Sequence, residues 1–384
     1  MIRFLTAGES HGPGLVTIVE GLPYGMPFTA SGLGDELARR RLGYGRGPRM
    51  RIERDELEIL GGVRFECTLG SPVAVVIRNT EWERWSDEMA TGPGEAGKPM
   101  TTPRPGHADL AGMVKYGSHD ARDILERASA RETAARTVAG YAAKQLLAEL
   151  GVTVLSHVVG IGPVEVTKRL LPEIDDLPAI DASPVRVFDD QEAESAMVEA
   201  IEAAKSDRDT LGGIVEVVAH GVPVGVGSHV HYDRRLDTRL AGGLMSIPGI
   251  KAVEVGDGFA SASRPGSKAH DEILIDGDQM VRDTNRAGGI EGGISNGSVI
   301  RVRAAQKPLS TLMRPLRSVD VTTKEAADAF RERSDVVSVP AAGVVAEQMV
   351  AIVLAGELQR MYGGDTVTAF VDAHRAHLAR IDSY

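Results

Sequence analysis

Two histidines lie next to glycines in short polar segments of the sequence, His11 in AGESHGPG and His107 in PGHADL. Such flanks supply few bulky neighbours that could bury an imidazole in a core, so neither pattern is typical of a structural histidine. Imidazole is the side chain whose charge changes between about pH 5 and 8, which suits it to proton transfer. We therefore predict that both histidines, with Ser10 beside the first, take part in acid–base chemistry.

Arginine is concentrated in residues 39–54, a segment that contains seven of them. Alternating glycines at positions 43, 45 and 47 prevent a regular helix throughout this segment. Guanidinium groups on such a loop favour bidentate binding of carboxylate or phosphate. The flanking acidic residues are also compatible with a solvated charged face, and a module that binds RNA or another anion through the run of residues 39–54 is the alternative.

A central helix is predicted to begin at Ser129. Ser129 and Glu132 have the spacing of a capping box, and a periodic apolar run follows them. Arg122, Arg127 and Arg131 stand around this start, where free amide groups and the helix dipole favour an anion. We expect a polar loop that leads into one helix, with the three arginines gathered as a seat for phosphate or carboxylate.

The remaining elements are short. Apolar alternation predicts strands at residues 2–6, 15–20, 56–60, 72–78, 152–160, 212–227 and 298–304, and helical periodicity predicts helices at 33–41, 192–206, 234–244 and 342–362. The irregular residues 79–105 are long enough to predict a mobile lid. Because no repeat or linker divides the chain, residues 1–384 are predicted to form a single α+β domain.

Composition excludes several functional classes. The net charge of −11 argues against a general nucleic-acid or membrane-surface binder. No segment approaches the roughly 18 apolar residues of a membrane span, and the first residues do not form a signal peptide, which predicts a cytoplasmic protein. Cys67 is the sole cysteine, so an internal disulfide is excluded and a small buried side chain is expected.

Nucleotide and metal signatures are incomplete. Residues 92–98 match the first part of a P-loop, but Pro99 occupies the Ser/Thr position and no apolar strand leads into the segment. His229 and His231 share one face of a strand without a third ligand nearby, so we predict no metal site. Lys307, with hydroxyls at 310 and 311, follows two glycine pairs and a strand, and this combination can hold a phosphate.

Six motifs resemble the successive signatures of the chorismate synthase family, in the family's order. They are AGESHGP at residues 7–13, RPGHADL at 104–110, RASARET at 127–133, NRAGGIEGG at 285–293, KP at 307–308 and RSD at 333–335. The resemblance spans nearly the whole chain, to about residue 365. It implies a β-α-β sandwich with a helical core between antiparallel sheets, and a homotetramer.

The same resemblance implies a lyase of the shikimate pathway. Its reaction converts 5-enolpyruvylshikimate 3-phosphate into chorismate and phosphate by anti 1,4-elimination, the last shared step of aromatic amino-acid biosynthesis. Reduced FMN is required without net redox change, and NADPH is needed only if the chain reduces its own flavin. We expect an external flavin reductase, and neither nucleic acid nor membrane as a partner. A flavodoxin-like redox protein is a further alternative, which would show net electron transfer.

The resemblance also assigns roles. His11 would protonate the departing phosphate, His107 would protonate or stabilise the reduced flavin, and Asp335 would assist its deprotonation. The residues expected to contact the substrate are Ser10, Arg40, Arg46, Arg49, Ser129, Arg131 and Arg333. Those expected to contact FMN are Arg127, Ala128, Ser129, Pro248, Gly249, Gly292, Lys307, Pro308, Leu309, Ser310, Thr311 and Arg333. Ala128 stands where many members have a second serine, and residues 248–249 replace a polar residue and an alanine.

Overall fold

Strands of alternating burial build two antiparallel sheets in the computed structural model, which describes residues 1–47, 55–95, 97–168, 170–277, 279–332 and 334–384. The strands are β1 Arg3–Ala7, β2 Gly14–Glu20, β3 Glu56–Gly61, β4 Val63–Arg64, β5 Cys67–Thr68, β6 Val73–Arg78, β7 Thr153–Ile161, β8 Val164–Glu165, β9 Gly213–His220, β10 Ile250–Val255, β11 Ile273–Asp276, β12 Gln279–Arg282, β13 Ile290–Glu291, β14 Ile294–Ser295, β15 Ile300–Gln306, β16 Arg317–Val319 and β17 Ala326–Asp328. The two larger sheets have the orders β1-β2-β6-β3 and β10-β15-β9-β7-β8. The other described strands pair as β4-β5, β11-β12, β13-β14 and β16-β17.

Helices fill the space between the sheets and cover the remaining edges. The α-helices are α1 Ala30–Arg39, α2 Trp82–Trp85, α3 Asp109–Tyr116, α4 Arg122–Ala128, α5 Thr133–Ala148, α6 Leu177–Ala182, α7 Gln191–Ser206, α8 Leu236–Met245, α9 Phe259–Ala262, α10 Gly266–Ala269, α11 Val339–Tyr362 and α12 Val367–Asp382. Short 3₁₀ turns lie at Ala130–Glu132, Ile174–Asp176 and Tyr232–Arg234.

Helix α5 packs against the four-stranded sheet on one side and against α11 on the other, and α11 in turn covers the five-stranded sheet. Small residues allow this close stacking, since α5 is rich in alanine and Gly140 faces Gln348 of α11. The hydroxyl of Thr17 in β2 donates to the carbonyl of Ala135 in α5 at 2.8 Å. The two sheets and the helices share one hydrophobic core. The predicted sandwich with a helical core is therefore confirmed.

Helix α11 differs from the sequence-based expectation. Within the described residues, α11 is the single helix that is both long enough and apolar enough to cross a membrane, whereas the sequence predicted no such segment. However, 89% of its most apolar window is buried inside the protein. The apolarity is explained by this position, because a helix that is covered on all sides by its own fold has little need of polar residues.

The start of the central helix also differs from the capping-box prediction. Ser129 caps a 3₁₀ turn by accepting a hydrogen bond from the amide of Arg131, and α5 itself begins at Thr133. The carboxylate of Glu132 does not turn back to Ser129. It accepts from the Thr6 hydroxyl in β1 at 2.8 Å and from Arg136 at 2.8 Å. A tertiary contact thus replaces the local cap.

Other predictions were wrong locally. Residues 101–128 are not one polar loop, since they contain α3, which ends at the left-handed Gly117, and α4. The chain also continues after Gly363 and Gly364 into α12, which the sequence did not predict. Cys67 is exposed, because it lies in the two-residue strand β5 at the surface.

Replacement of Gly140 by alanine is predicted to destabilise the fold. An added Cβ would lie 2.2–2.8 Å from the side chain and Cα of Gln348, so α5 and α11 would have to separate. Overpacking of this kind costs about 1–3 kcal/mol, which exceeds the gain of about 1 kcal/mol in helix propensity. Chemical denaturation of G140A would measure the loss. Gly242→Ala in α8 is the matched control, because its Cβ meets nothing within 4 Å and the substitution should be neutral or stabilising.

Candidate active site

A cleft of about 760 Å³ brings together most of the residues that the sequence singled out. The predicted residues that line it are Ser10, His11, Arg40, Arg46, His107, Ala128, Ser129, Arg131, Pro248, Gly249, Lys307, Pro308, Leu309, Ser310, Thr311 and Asp335. They come from the β1–β2 loop, the loop after α1, the start of α3, the α4–α5 junction, the α8–β10 loop, the segment after β15 and the segment before α11. The floor is formed by the first turns of α11.

Four predicted residues are not part of the described cleft. Gly292 forms the turn between β13 and β14 and does not line the cavity. Arg127 lies against β1, where its guanidinium donates to the carbonyls of Gly8 and Thr6. Arg49 and Arg333 lie outside the described residues.

The three arginines near the central helix do not gather around its start, contrary to the prediction. Arg131 lines the cleft, Arg127 contacts β1, and Arg122 binds Glu126 one turn along α4 at 2.7 Å. The reason is the extended backbone of Ser129, with ψ of 144°, which separates α4 from the turn that carries Arg131. The anion site is therefore assembled from several loops and not from one helix terminus.

His11 is held by a buried carboxylate. Its Nδ1 lies 2.9 Å from both oxygens of Glu126, and its backbone amide donates to the same carboxylate at 2.9 Å. The Trp85 ring covers the imidazole with ring centroids 4.1 Å apart. Burial raises the pKa of Glu126, but the hydrogen bonds from His11 and the charge of Arg122 outweigh it, so the pKa lies below its ordinary value.

His107 is held in the same way by a carboxylate two residues along the chain. Its Nδ1 lies 2.5 Å from Oδ1 of Asp109, whose side chain is inaccessible to solvent. Arg104 binds this carboxylate through Nε at 2.9 Å. Burial opposes the charge, yet the hydrogen bonds from His107 and Arg104 lower the pKa of Asp109 to about 2. Asp109 is therefore a permanent anion behind the imidazole at neutral pH.

This shared arrangement defines the proton on each ring. A carboxylate at Nδ1 accepts from an N–H there, which makes Nε2 the basic nitrogen of the neutral imidazole and a donor in the imidazolium form. Since His11 and His107 both line the cleft, each can deliver a proton to a group bound there or receive one from it.

The carboxylate of Asp55 lies beside two arginines of the cleft. Arg131 donates to Asp55 at 2.5 Å and to Asn79 at 3.1 Å, and Arg40 lies 4.0 Å from the same Asp55. Asn79 is itself anchored by donating to the carbonyls of the β1–β2 loop, beside His11. The contacts hold the guanidinium groups in place before any ligand binds.

Arg46 and Asp335 meet across the cleft. The Nη1 of Arg46 lies 3.1 Å from Oδ2 of Asp335, and the Gly47 amide donates to Oδ1 at 2.6 Å. The Nε of Arg46 is buried and has no hydrogen-bond partner among the residues that the structure describes. A buried donor of this kind is costly unless a ligand accepts from it.

Positive charge predominates where Lys307 enters the cleft. Its ammonium donates to the carbonyl of Gly106 at 2.7 Å. Burial lowers the pKa of Lys307, and the nearby charges of Lys251 and Arg104 lower it further. The ammonium thus lies in a partly buried position next to other cations, which favours an anion there.

Several functional residues were missed by sequence reasoning. Arg104 links the cleft walls, because it binds Asp109 and also donates to Thr311 at 2.8 Å. Asp109 could have been suspected from its H-x-D spacing to His107. Glu126 offers no such signal, since 115 residues separate it from His11.

Within the described ranges, no group of three or more His, Cys, Asp or Glu residues is placed so that it could hold a metal ion. His231, suspected as half of a metal pair, binds the exposed Asp233 at 2.7 Å instead.

Comparisons with known proteins agree on one family. A family model described as chorismate synthase matches residues 2–358. The chorismate synthase of Acidothermus cellulolyticus is 58% identical over 100% of this chain and 99% of its own length. That of Streptomyces coelicolor is 55% identical over 99% of each. A solved structure titled "Crystal Structure of Chorismate Synthase" has 39% identity and a TM-score of 0.80, and the match covers 100% of this chain and 99% of that one.

Asp109→Asn is predicted to lower stability at pH 7 and to flatten its acid dependence. The folded pKa of Asp109, about 2, lies below the ordinary value of 3.8. The stability it contributes is fully present above about pH 4 and is lost as the pH falls towards 2. We expect the variant to lose about 1–2 kcal/mol at pH 7, and the difference from wild type to shrink across that window in denaturant titrations. D372N, on the exposed face of α12, is the control and should remain within about 0.5 kcal/mol.

Proposed function

The chain belongs to the chorismate synthase family and is a lyase that converts 5-enolpyruvylshikimate 3-phosphate into chorismate and phosphate, and we propose that the reaction takes place in the cleft of His11 and His107. The observation that supports this location most directly is the pair of imidazoles, each with a carboxylate at Nδ1, in one cavity surrounded by arginines. The elimination removes a phosphate and a proton from one substrate, so it needs proton transfer at two positions.

His11 is proposed as the acid for the leaving phosphate. A leaving phosphate gains negative charge on the bridging oxygen as the carbon–oxygen bond breaks, and a proton from Nε2 neutralises it. Glu126 holds the imidazole in the required orientation and stabilises its charged form before transfer. Ser10, which is buried beside His11, is proposed to donate a hydrogen bond to the same group.

His107 and Asp335 are proposed to handle the second proton. The carboxylate of Asp109 keeps Nε2 of His107 as the exchanging nitrogen. Asp335 is oriented by Arg46 and by the Gly47 amide, and it lines the same cleft as His107. In this proposal His107 supplies a proton to the cofactor, and Asp335 assists the removal of a proton from the cofactor.

The substrate is proposed to lie among the arginines. Arg40, Arg46 and Arg131, with Ser10 and Ser129, supply donors suited to two carboxylates and one phosphate. Arg49 and Arg333 belong to the same proposal but lie outside the described residues.

Reduced FMN is the family's cofactor, and the chain's residues fit its anionic end. Lys307 is partly buried among cations, with the hydroxyls of Ser310 and Thr311 nearby in the cleft wall. Gly106 and Gly249 have positive φ angles of 78° and 88° and leave the backbone accessible beside them. We propose that residues 307–311, Ala128, Ser129, Pro248 and Gly249 hold FMN, with Arg127, Gly292 and Arg333 as further contacts that the described cleft does not include. When bound, reduced FMN would supply electron density to the substrate and accept its proton, without net oxidation.

Several broader features remain proposals. We propose that the chain works in the cytoplasm and receives reduced flavin from an external reductase, with NADPH needed only if the reduction is intrinsic. Residues 1–384 are proposed to form a single domain, which the shared hydrophobic core supports.

A homotetramer is also proposed, supported by the outer face of the four-stranded sheet. Leu5, Ile18 and Leu60 point away from the helical core, and their exposed fractions are 70%, 42% and 58%. Ion pairs border this apolar surface, Arg3 with Glu20 and Arg78 with Glu58. An apolar patch with a charged rim is typical of a subunit interface.

The alternative of an RNA-binding module is not supported. Arg39 turns into the core towards Glu347, and Arg40 and Arg46 line the cleft, so these members of the arginine run form no external basic surface. The chain's full-length match to a lyase family likewise leaves the flavodoxin-like alternative without support.

Substitution of either histidine by alanine is predicted to reduce turnover by about 10²–10⁴-fold, the usual contribution of positioned acid–base catalysis. No neighbouring group replaces the imidazole, because arginine does not release its proton at neutral pH and serine is a very weak acid. The measurement is anaerobic phosphate release by H11A and H107A with reduced FMN supplied. Exposed His119 provides the control, and H119A should retain wild-type turnover. Near-normal turnover of H11A or H107A would remove that residue from the mechanism.

Residues 79–105 are proposed as a cover for the cleft, apart from Ala96, which is outside the described residues. Their ends are fixed, since the Asn79 amide donates to Pro13 and the Thr101 hydroxyl to Asp320, while residues 91–95 and 97–99 are exposed.

Limited proteolysis is predicted to cut within residues 91–98 of the free protein and to slow when oxidised FMN and substrate are added together. A protease of broad specificity is required, because the Lys98–Pro99 bond resists trypsin. Equal cutting rates with and without the ligands would contradict the proposed cover.

A further inference from the structure

Four side chains, His11 among them, form a closed ring of contacts. His11 binds Glu126 through Nδ1 at 2.9 Å, and Glu126 binds Arg122 at 2.7 Å. The guanidinium of Arg122 lies over the ring of Trp85 with its carbon 4.8 Å from the centroid. Trp85 closes the ring by lying against His11, with a centroid distance of 4.1 Å and an interplanar angle of 31°.

We propose that Trp85 is a positioning residue for His11, and this rests on the role of His11 as proton donor. A hydrogen bond at Nδ1 fixes one edge of an imidazole but leaves it free to tilt about that bond. The indole against its face restricts this tilt and thereby sets the direction of Nε2. Arg122 secures both supports of the imidazole, because it contacts the indole and the carboxylate together.

Trp85 also separates two cavities. It lines the catalytic cleft and a neighbouring cavity of about 770 Å³, together with Glu81. The second cavity contains the exposed Arg84 and Lys98 and is open to solvent. Removal of the indole would connect the cavities and admit water beside His11, which weakens charged contacts in the cleft. The charged groups around His11 are Glu126 and Arg122 from α4 and Glu81, which precedes α2.

The chain contains only two tryptophans, which allows a direct optical test. In W82F, Trp85 is the sole tryptophan, and an imidazole in contact with an indole quenches the indole fluorescence. In the cofactor-free protein we expect W82F to fluoresce more weakly than W82F/H11N, because the latter lacks the imidazole against Trp85. The matched control W82F/H119N, altered at an exposed histidine, should fluoresce like W82F. Equal fluorescence of W82F and W82F/H11N would overturn the proposal.

Turnover provides the second test. With reduced FMN supplied, W85A should lower kcat by about 10²-fold, as expected for misplacement of a catalytic group by about 1 Å, while KM changes by less than about threefold. W85F keeps an aromatic face against His11 and should recover most of kcat. W82F and W82A, on the same short helix, are the matched controls and should resemble wild type.

The outcomes separate this inference from the proposed function. If H11A retained turnover, the assignment of His11 as acid would fail, whereas the fluorescence difference between W82F and W82F/H11N would still report the contact. If H11A is inactive but W85A and W85F both keep wild-type kcat and the same pH profile, only the role of Trp85 is refuted.

Discussion

One buried carboxylate holds the layers of this fold together. Glu347 of α11 is wholly buried and lies 2.8 Å from Arg39 of α1, 2.7 Å from Lys144 of α5 and 3.2 Å from Arg186, while it accepts from the Ser156 amide of β7 at 2.9 Å. Burial raises the pKa of Glu347, but the three cations outweigh it and hold that pKa well below the ordinary value. A buried charge tolerates no loss of a partner, so the cluster fixes two helices and the second sheet around α11. The first turns of α11 form the floor of the cleft, and the residue after Arg39 lines its wall. The position of the site thus depends on this cluster.

Both histidines of the cleft have a carboxylate at Nδ1, but the two carboxylates come from different parts of the chain. Asp109 is the first residue of α3 and follows His107 by two positions, so the local backbone is enough to bring them together. Glu126 reaches His11 only when α4 packs beside the β1–β2 loop, and the amide of Ser10 donates to the Glu126 carbonyl in the same contact. The contact between His107 and Asp109 therefore needs only local structure, whereas the contact between His11 and Glu126 needs the tertiary structure.

The sequence predicted the elements better than it predicted the contacts between them. Periodicity located the long helices α5, α7 and α11 and, in the two larger sheets, strands β1, β2, β3, β6, β7, β9 and β15, since alternation and helical spacing are local properties. It placed the capping box of Ser129 and Glu132 incorrectly, because the acid binds Thr6 in a distant strand. The cleft residues came from motifs that resemble a family, and not from periodicity. What the motifs could not supply were partners such as Glu126 and Trp85, whose roles depend on side chains far away in sequence. Helix α12 was missed because Gly363 and Gly364 before it were interpreted as the end of the last helix.

An acidic protein can bind a multiply anionic substrate because its charges are segregated. Arginines of the cleft are held by carboxylates, as Arg131 is by Asp55 and Arg46 by Asp335. These carboxylates orient the guanidinium groups. At Lys307 none of the acids in the described part of the chain plays that part, since its hydrogen bond goes to a carbonyl and its pKa is lowered by burial and by neighbouring cations. An anion bound beside Lys307 would offset that repulsion, which favours an anionic group at this position even though the net charge of the chain is −11.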